Sequence, residues 1–472
     1  MRLSILFLFY FYLTLGLLAD SRPNIILIML DDSGWTDFGC YGSQIETPNI
    51  DHFASEGMRF TDYHAAAPNC SPSRAGILTG RTPSRLGMYS YRPPEHVMHL
   101  KSEEITIPEL LKKQGYKTGH FGKWHLSTLL DPTQASPREQ GFDYTLGTDN
   151  NASPNHLNPV NFVRNGNPVG EMKGYSCQVV VNEAISWMDS IDAANNPFFA
   201  CVWYHEPHSP IASPPELVKK YQKLYPELSK KEATYFANIE NVDIATGRLL
   251  DYLKEKGIEK DTLVMISSDN GGLGDYSNQG LRGKKSHLWE GGHRVAGIFR
   301  WPGTIPAGTE SDVTICGIDM LPTICEFTGM KVPDDRKIDG TSIASLLTGD
   351  SDSIDRQTPL YWFFYRVNPA LALREGKWVL IADTNDARRE KTHPLINEDI
   401  PFIKASKPVK FMLYDLESEL TQRTDVSSQH PETFDRLKKM MIRMHADVIS
   451  ESPAWTVPDT GKENPTKIWD SY

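Results

Sequence analysis

Three continuous apolar runs stand out along the chain, and polar residues follow each of them directly. The runs cover residues 24–30, 198–204 and 262–267. Uninterrupted apolar segments of this length, bounded by polar residues and glycine, are typical of parallel strands that helices cover on both faces. The pattern therefore predicts an α/β fold with these three segments as buried strands.

Amphipathic periodicity predicts helices between the strands and a different organisation after about residue 345. The predicted helices of the first part cover 107–114, 179–190 and 231–256, the last interrupted by Gly247. Later in the chain the pattern predicts an antiparallel sheet and a closing amphipathic helix that begins at a proline, over residues 360–365, 371–381, 411–416 and 431–449. We therefore expect a main domain over 20–345 and a smaller α+β domain over 346–472.

The first nineteen residues have the order of a secretory signal. Arg2 precedes an apolar run over 5–18, which is short for a membrane span and ends at Ala19-Asp20. The alternative is an uncleaved N-terminal anchor. We predict a signal peptide over 1–19, no membrane span after its removal, and an exported protein that is periplasmic or secreted.

Composition narrows the class of partner. The formal net charge of −11 argues against nucleic-acid binding, although a local cluster of lysine and arginine can still bind a polyanion. Six scattered cysteines are too few for a disulfide framework, and no C-x-x-C pair indicates zinc.

Two acidic clusters follow predicted strands. Asp31 and Asp32 come after the first run, and Asp269 and Asn270 come after the third. Ligands of open α/β sheets bind beyond the carboxyl ends of the strands, so both clusters are expected there. Carboxylate and amide oxygens favour Ca²⁺ or Mg²⁺. The alternative is that each cluster caps a following helix.

The segment Cys70-Ser-Pro-Ser-Arg74 carries the strongest chemical signal. Pro72 marks a helix N-terminus, so Cys70 is expected at the positive end of the helix, where backbone N–H groups bind anions. Taken alone, this predicts a thiolate nucleophile. A soft sulfur beside an oxygen-ligated cation is a mismatch, which oxidation of the cysteine to an aldehyde would remove.

These residues resemble a known family. Cys70-x-Pro-Ser-Arg74 followed by Leu-Thr-Gly80 is similar to the signature of formylglycine-dependent (type I) sulfatases, and residues 119–125 and 413–416 resemble two further family motifs. The resemblance implies the alkaline-phosphatase-like fold, a mixed sheet flanked by helices. It also implies a bound Ca²⁺, and a formylglycine-generating enzyme that oxidises Cys70.

The resemblance also implies roles for individual residues. Arg74 would hold the aldehyde hydrate, and Lys123 and His125 would contact sulfate and nucleophile, two residues apart on an extended segment that places them on one face. His208 would protonate the leaving oxygen, and Lys285 would bind sulfate, with Lys284 beside it as an alternative. The metal ligands would be Asp31, Asp32, Cys70, Asp269 and Asn270, and the substrate contacts Asn151 and His205.

The expected reaction is hydrolysis of a sulfate ester, in which a hydroxyl of the hydrated aldehyde attacks sulfur. The overall resemblance to bacterial polysaccharide sulfatases implies a sulfated carbohydrate substrate, either galactan or carrageenan-like or a glycosaminoglycan. One rival hypothesis is a phosphomonoester or phosphonate hydrolase of the same fold. The other is a carbohydrate-binding protein without catalysis, which would have no need for the complete set of site residues.

Overall fold

A computed structural model describes residues 22–385 and 395–458. The predicted signal peptide, residues 1–19, lies outside the described residues. Within those two ranges, no helix is both long enough and apolar enough to cross a membrane.

An eleven-stranded mixed sheet forms the centre of the fold. Its strands run β1 Asn24–Asp31, β2 Met58–His64, β3 Lys117–Lys123, β4 Tyr144–Thr148, β5 Phe162–Arg164, β6 Asn167–Gly170, β7 Phe198–Pro207, β8 Thr262–Ser268, β9 Arg294–Arg300, β10 Thr309–Ser311 and β11 Ile315–Cys316. Their order is β10-β2-β9-β8-β1-β7-β3-β4-β5-β6, and β11 pairs with β2.

The three apolar runs form the middle of this sheet, as predicted. Strand β1 lies between β7 and β8 and is parallel to both. Every residue of the three strands is buried, because helices cover both faces. Three parallel strands side by side bring their carboxyl ends to one edge, where the polar residues that follow them meet.

Most helices flank this sheet, whereas the last two pack against each other and the last one against strands near the C-terminus. The helices are α1 Pro48–Ser55, α2 Cys70–Thr79, α3 Ile107–Lys113, α4 Ser176–Ser190, α5 Pro215–Leu224, α6 Lys230–Glu255, α7 Asp275–Asn278, α8 Glu290–His293, α9 Met320–Phe327, α10 Ala344–Thr348, α11 Asp399–Ala405 and α12 Pro431–Glu451. Gly247 does not interrupt α6. A Cβ there would come within 2.5 Å of the Asn49 side chain, so the glycine permits close packing of α6 against α1.

A separate antiparallel sheet lies towards the C-terminus. Its strands, in sheet order, are β12 Leu360–Phe363, β13 Leu371–Glu375, β14 Trp378–Thr384 and β15 Pro408–Asp415. The single strand expected over 371–381 is wrong: the chain turns at Gly376, whose φ is +54°, and forms two strands. The closing helix α12 begins at Pro431 as predicted. The fold class is thus confirmed, while the domain boundary at 345/346 stays a prediction.

Candidate active site

The site lies at the carboxyl edge of the central strands. Asp31 is the last residue of β1, and Asp269 directly follows β8, whose Ser268 is paired with Leu30. Asp32 adopts a left-handed backbone with φ of 69°, so the chain turns sharply out of the strand. The N–H of Asp32 then donates to Asp269 Oδ1 at 3.3 Å, which joins the two acidic clusters.

Two buried lysines neutralise the first carboxylate pair. Lys123 Nζ, at the end of β3, lies 2.6 Å from Asp31 Oδ2, and Lys285 Nζ lies 2.7 Å from Asp32 Oδ1. Burial by itself raises the pKa of Asp31, but Lys123, His208 and the other nearby cations outweigh it and hold that pKa well below the ordinary value. The two ammonium groups therefore form buried ion pairs with the carboxylates that follow the central strand β1.

Arg74 connects the start of α2 to the second acidic cluster. Its Nε and Nη2 donate to Asp269 Oδ2 at 2.9 and 2.7 Å, and its Nη1 donates to the Lys123 carbonyl at 2.7 Å. Burial and repulsion by Asp31 raise the pKa of Asp269 to about 7, against the attraction of Arg74. The side chain of Arg74 is fully buried, so these bonds fix its position rather than leave it free to sample rotamers.

Cys70 is the first residue of α2, as the sequence predicted, and its Sγ lies 3.4 Å from Asp31 Oδ1. Burial raises the pKa of the thiol, and the opposing effect of Lys123 and Lys285 is too small to restore it. The unmodified side chain is therefore a neutral thiol. This argues against the thiolate nucleophile that the helix position alone would predict.

The donor set fits a hard cation. Asn270 Nδ2 donates to Asp32 Oδ1 at 2.9 Å, while its Oδ1 is buried and has no hydrogen-bond partner within the described ranges. A buried carbonyl oxygen that lacks a hydrogen-bond partner and lies beside several carboxylates is typical of an oxygen that binds a metal ion. Ligand atoms of four side chains lie within 4.8 Å of one another, namely those of Asp31, Asp32, Cys70 and His208.

His125 lies two residues beyond the end of β3 and has one buried ring nitrogen without a hydrogen-bond partner among the described residues. The extended segment expected over 123–125 is wrong, because β3 ends at Lys123 and His125 has a left-handed φ of 60°. Its Nε2 lies 2.6 Å from the Arg92 carbonyl, and its Nδ1 is buried without a partner in the part of the chain described. Burial, Lys123 and Arg74 lower its pKa well below the ordinary value, so the ring is neutral.

The two histidines of the 205–208 segment have different surroundings. His208 lies just beyond β7, with Nε2 3.5 Å from Asp32 Oδ2 and Nδ1 donating to the Ser209 carbonyl at 2.6 Å. Burial and Lys285 lower its pKa to about 4. His205, inside β7, is fully buried, and its Nε2 lies 2.8 Å from Thr148 Oγ1.

Comparison with known proteins decides the family. The family model described as Sulfatase matches residues 23–330, and the one described as N-sulphoglucosamine sulphohydrolase, C-terminal, matches residues 281–398. The N-acetylgalactosamine-6-sulfatase of dog (Canis lupus familiaris) is 34% identical over 396 residues, which cover 76% of this chain and 72% of the dog protein. The chain belongs to the sulfatase family. It is a sulfuric ester hydrolase.

Further relatives of this sulfatase agree. Human steryl-sulfatase is 30% identical over 429 residues, covering 72% of each chain. Among solved structures, Ps i-CgsB in complex with k-i-k-neocarrahexaose superposes with a TM-score of 0.78 at 27% identity, over 93% of this chain and 96% of that one. A phosphonate monoester hydrolase of Agrobacterium radiobacter, at 18% identity and a TM-score of 0.60, covering 90% of this chain and 96% of that one, shares the fold. Sulfatases in general use a formylglycine and a metal ion.

Two predictions about this sulfatase remain, the substrate contact Asn151 and the choice between Lys284 and Lys285. Asn151 Oδ1 accepts from Lys123 Nζ at 3.2 Å, and Asn151 Nδ2 donates to the Ser209 carbonyl at 3.1 Å. This side chain therefore joins the lysine to the segment that carries His208. Lys284 is exposed, whereas its neighbour Lys285 is buried against Asp32, so Lys285 is the lysine that faces the site.

Sequence reasoning missed two groups that touch the sulfatase site through their backbone. They are the carbonyls of Arg92 and Ser209, which accept hydrogen bonds from His125 and His208. A carbonyl leaves no trace in the identity of its residue. The sequence offered one indication, an arginine at position 92 outside the family motifs. A lone arginine is too common to identify a site residue.

Proposed function

We propose that this sulfatase removes sulfate from a sulfated polysaccharide or oligosaccharide, of the galactan or carrageenan-like class or a glycosaminoglycan. The observation that carries the proposal is the pair of buried lysines, Lys123 and Lys285, which both lie close enough to Cys70 to lower the pKa of its thiol against the effect of burial. A monoanionic sulfate ester needs compensating charge in a buried site, and the two ammonium groups would provide it once the proposed cation takes over the carboxylates of Asp31 and Asp32, with which they are now paired.

The substrate class rests on two relatives. Ps i-CgsB has been solved with a neocarrahexaose, and several relatives are named N-acetylgalactosamine-6-sulfatase. Both names refer to sulfated sugars of the galacto series. We extend that class to this chain and propose an exported enzyme, periplasmic or secreted, that depends on a formylglycine-generating enzyme for maturation.

The metal proposed for the site is Ca²⁺, one per chain. Its ligands would be Asp31, Asp32, Asp269 and Asn270, together with the modified residue 70, since all of them offer oxygen. When bound, calcium supplies positive charge beside the sulfate oxygens, and the hydrated aldehyde at residue 70 supplies the attacking hydroxyl.

The chain's own residues carry the rest of the reaction. Lys123 and Lys285 bind the sulfate oxygens, and Arg74 orients the hydrate while it holds Asp269 in place. His208 donates a proton from Nε2 to the leaving oxygen. Burial and Lys285 lower the pKa of its ring, and the anionic ester offsets the part that is due to Lys285. His125 would accept a proton at Nδ1 from the second hydroxyl on the modified residue 70, so that sulfate leaves and the aldehyde forms again.

The test is a sulfate-release screen over defined sulfated oligosaccharides, in which free sulfate is measured by ion chromatography. The protein is produced with a formylglycine-generating enzyme, and an aryl sulfate and an aryl phosphate are assayed side by side. Sulfate release from a galactan or glycosaminoglycan oligosaccharide supports the proposal. Faster turnover of the phosphate ester than of every sulfate ester would contradict it, and Cys70→Ala serves as the inactive control.

A further inference from the structure

Arg92 lies between the two parts of the site that carry the nucleophile and its base. Its backbone N–H donates to Ser71 Oγ at 3.0 Å, directly beside Cys70, and its carbonyl accepts from His125 Nε2 at 2.6 Å. One residue of a loop without regular structure thus contacts the first turn of α2 and the histidine that follows β3.

The bond to His125 decides where the imidazole carries its proton. A carbonyl oxygen can only accept, so the proton of the neutral ring must be on Nε2. Nδ1 then holds a lone pair, and it is the buried nitrogen that lacks a partner among the described residues. This is the tautomer that a proton acceptor at the site requires, and the opposite tautomer would set two lone pairs against each other at 2.6 Å.

The side chain of Arg92 fixes this carbonyl in space. Its Nε donates to the Met98 carbonyl at 2.8 Å. Its Nη2 donates to the His96 carbonyl at 3.0 Å and to Gln134 Oε1 at 2.9 Å, and it also bonds Thr128 Oγ1. The guanidinium therefore ties the loop over 90–98 to the loop over 126–134.

The cost of this arrangement indicates that it serves a purpose. Arg92 is fully buried, and within residues 22–385 and 395–458 no carboxylate lies within ion-pair distance of it. Burial lowers the pKa of its guanidinium to about 10, against the opposing attraction of the more distant Asp149 and Asp131. A buried charge without a counter-ion in direct contact costs free energy of folding, and a neutral residue at this position would avoid that cost.

We propose that Arg92 is a positioning residue for His125: its guanidinium anchors the two loops so that its carbonyl holds the Nε2–H tautomer and keeps Nδ1 free to accept a proton. The inference rests on the proposed function in one respect, the role of His125 as proton acceptor. The positioning itself can be measured without any turnover.

The first experiment observes the tautomer directly. The full chain is produced with ¹⁵N-histidine and with Cys70 unmodified, and long-range ¹H–¹⁵N spectra are recorded, with His125→Gln used to assign the ring. Wild type should show a protonated Nε2 and an unprotonated Nδ1 at neutral pH. Arg92→Met should show exchange between tautomers, while Arg248→Met, on an exposed arginine of α6, should leave the spectrum unchanged.

The second experiment uses the formylglycine form. Arg92→Met should lower kcat by about tenfold or more, a part of the 10²–10⁴ that general acid–base catalysis supplies, with KM within about twofold. The loss should be equal for an aryl sulfate and a sugar sulfate, because His125 acts on the enzyme's hydroxyl and not on the leaving group. Arg248→Met should match wild type in both constants.

The outcomes separate the inference from the proposed function. A folded Arg92→Met protein with an unchanged His125 tautomer, or with kcat unchanged, overturns the positioning role. If Arg92→Met does not fold, Thr128→Val and Gln134→Ala each remove one of its anchors, and the same two readouts apply. If wild type shows the tautomer but no sulfatase activity on any sulfate ester, the proposed function fails while the positioning of His125 stands.

Discussion

Removal of the His208 ring should produce a loss of activity that depends on the leaving group. His208→Ala deletes the imidazole whose Nε2 faces Asp32 at 3.5 Å and whose Nδ1 is held by the Ser209 carbonyl. Because that carbonyl requires a proton on Nδ1, Nε2 carries a donable proton only when the ring is a cation. With a pKa lowered to about 4, the ring is neutral in the free site and cannot donate a proton from Nε2. It can donate one when the bound anionic substrate favours the imidazolium form.

The expected size follows from the leaving group. General acid catalysis is worth about 10²–10⁴-fold, or about 3–5.5 kcal/mol of activation free energy, when the departing oxygen is a poor leaving group. A sugar hydroxyl is such a group, while nitrophenolate departs with little assistance. His208→Ala should therefore reduce kcat/KM for a sulfated sugar by about 10²–10⁴ and for nitrophenyl sulfate by less than about tenfold.

The assay measures kcat/KM of wild type and variant on both substrates at a fixed calcium concentration. His205→Ala is the matched control, because the buried His205 ring contacts Thr148 and has no exposed surface. It should lower Tm and affect both substrates to the same degree. Equal losses on both substrates for His208→Ala, or a leaving-group-dependent loss for His205→Ala, would refute the assignment of His208 as the acid.

The remaining predictions concern maturation, metal and stability. Peptide mass spectrometry should find an aldehyde at residue 70 after production with a formylglycine-generating enzyme; activity from protein that is wholly Cys70 thiol would exclude the mechanism. Chelation should abolish activity and Ca²⁺ should restore it better than Zn²⁺, and stoichiometric zinc in active protein would contradict the site. Arg74→Met should lower the free energy of unfolding by about 3–5 kcal/mol in denaturant titrations, since it leaves Asp269 buried without its partner. A change below about 1 kcal/mol would contradict this reasoning, because it would mean that the protein tolerates the unpaired carboxyl.

The central features of the fold could be predicted from the pattern of apolar residues. The apolar runs predicted β1, β7 and β8, because strands buried on both faces must be apolar along their whole length. The start of α2 at Cys70 was also evident, because proline marks the first turn of a helix. Residues 371–381 were predicted less well: the polar segment 374–377 contains the two-residue turn at Gly376 and Lys377, but the apolar residues on both sides of it were read as one strand.

The tertiary structure decided what each side chain contacts. Lys284 and Lys285 have the same chemistry and adjacent positions, and only the fold buries Lys285 against Asp32 while Lys284 remains in solvent. Likewise β7 extends to Pro207, which keeps His205 inside the sheet and brings His208 out beyond its edge. Arg92 acts through a backbone carbonyl 33 positions before His125 in the chain. Local patterns report burial and periodicity, whereas contacts between distant segments depend on how the whole chain packs.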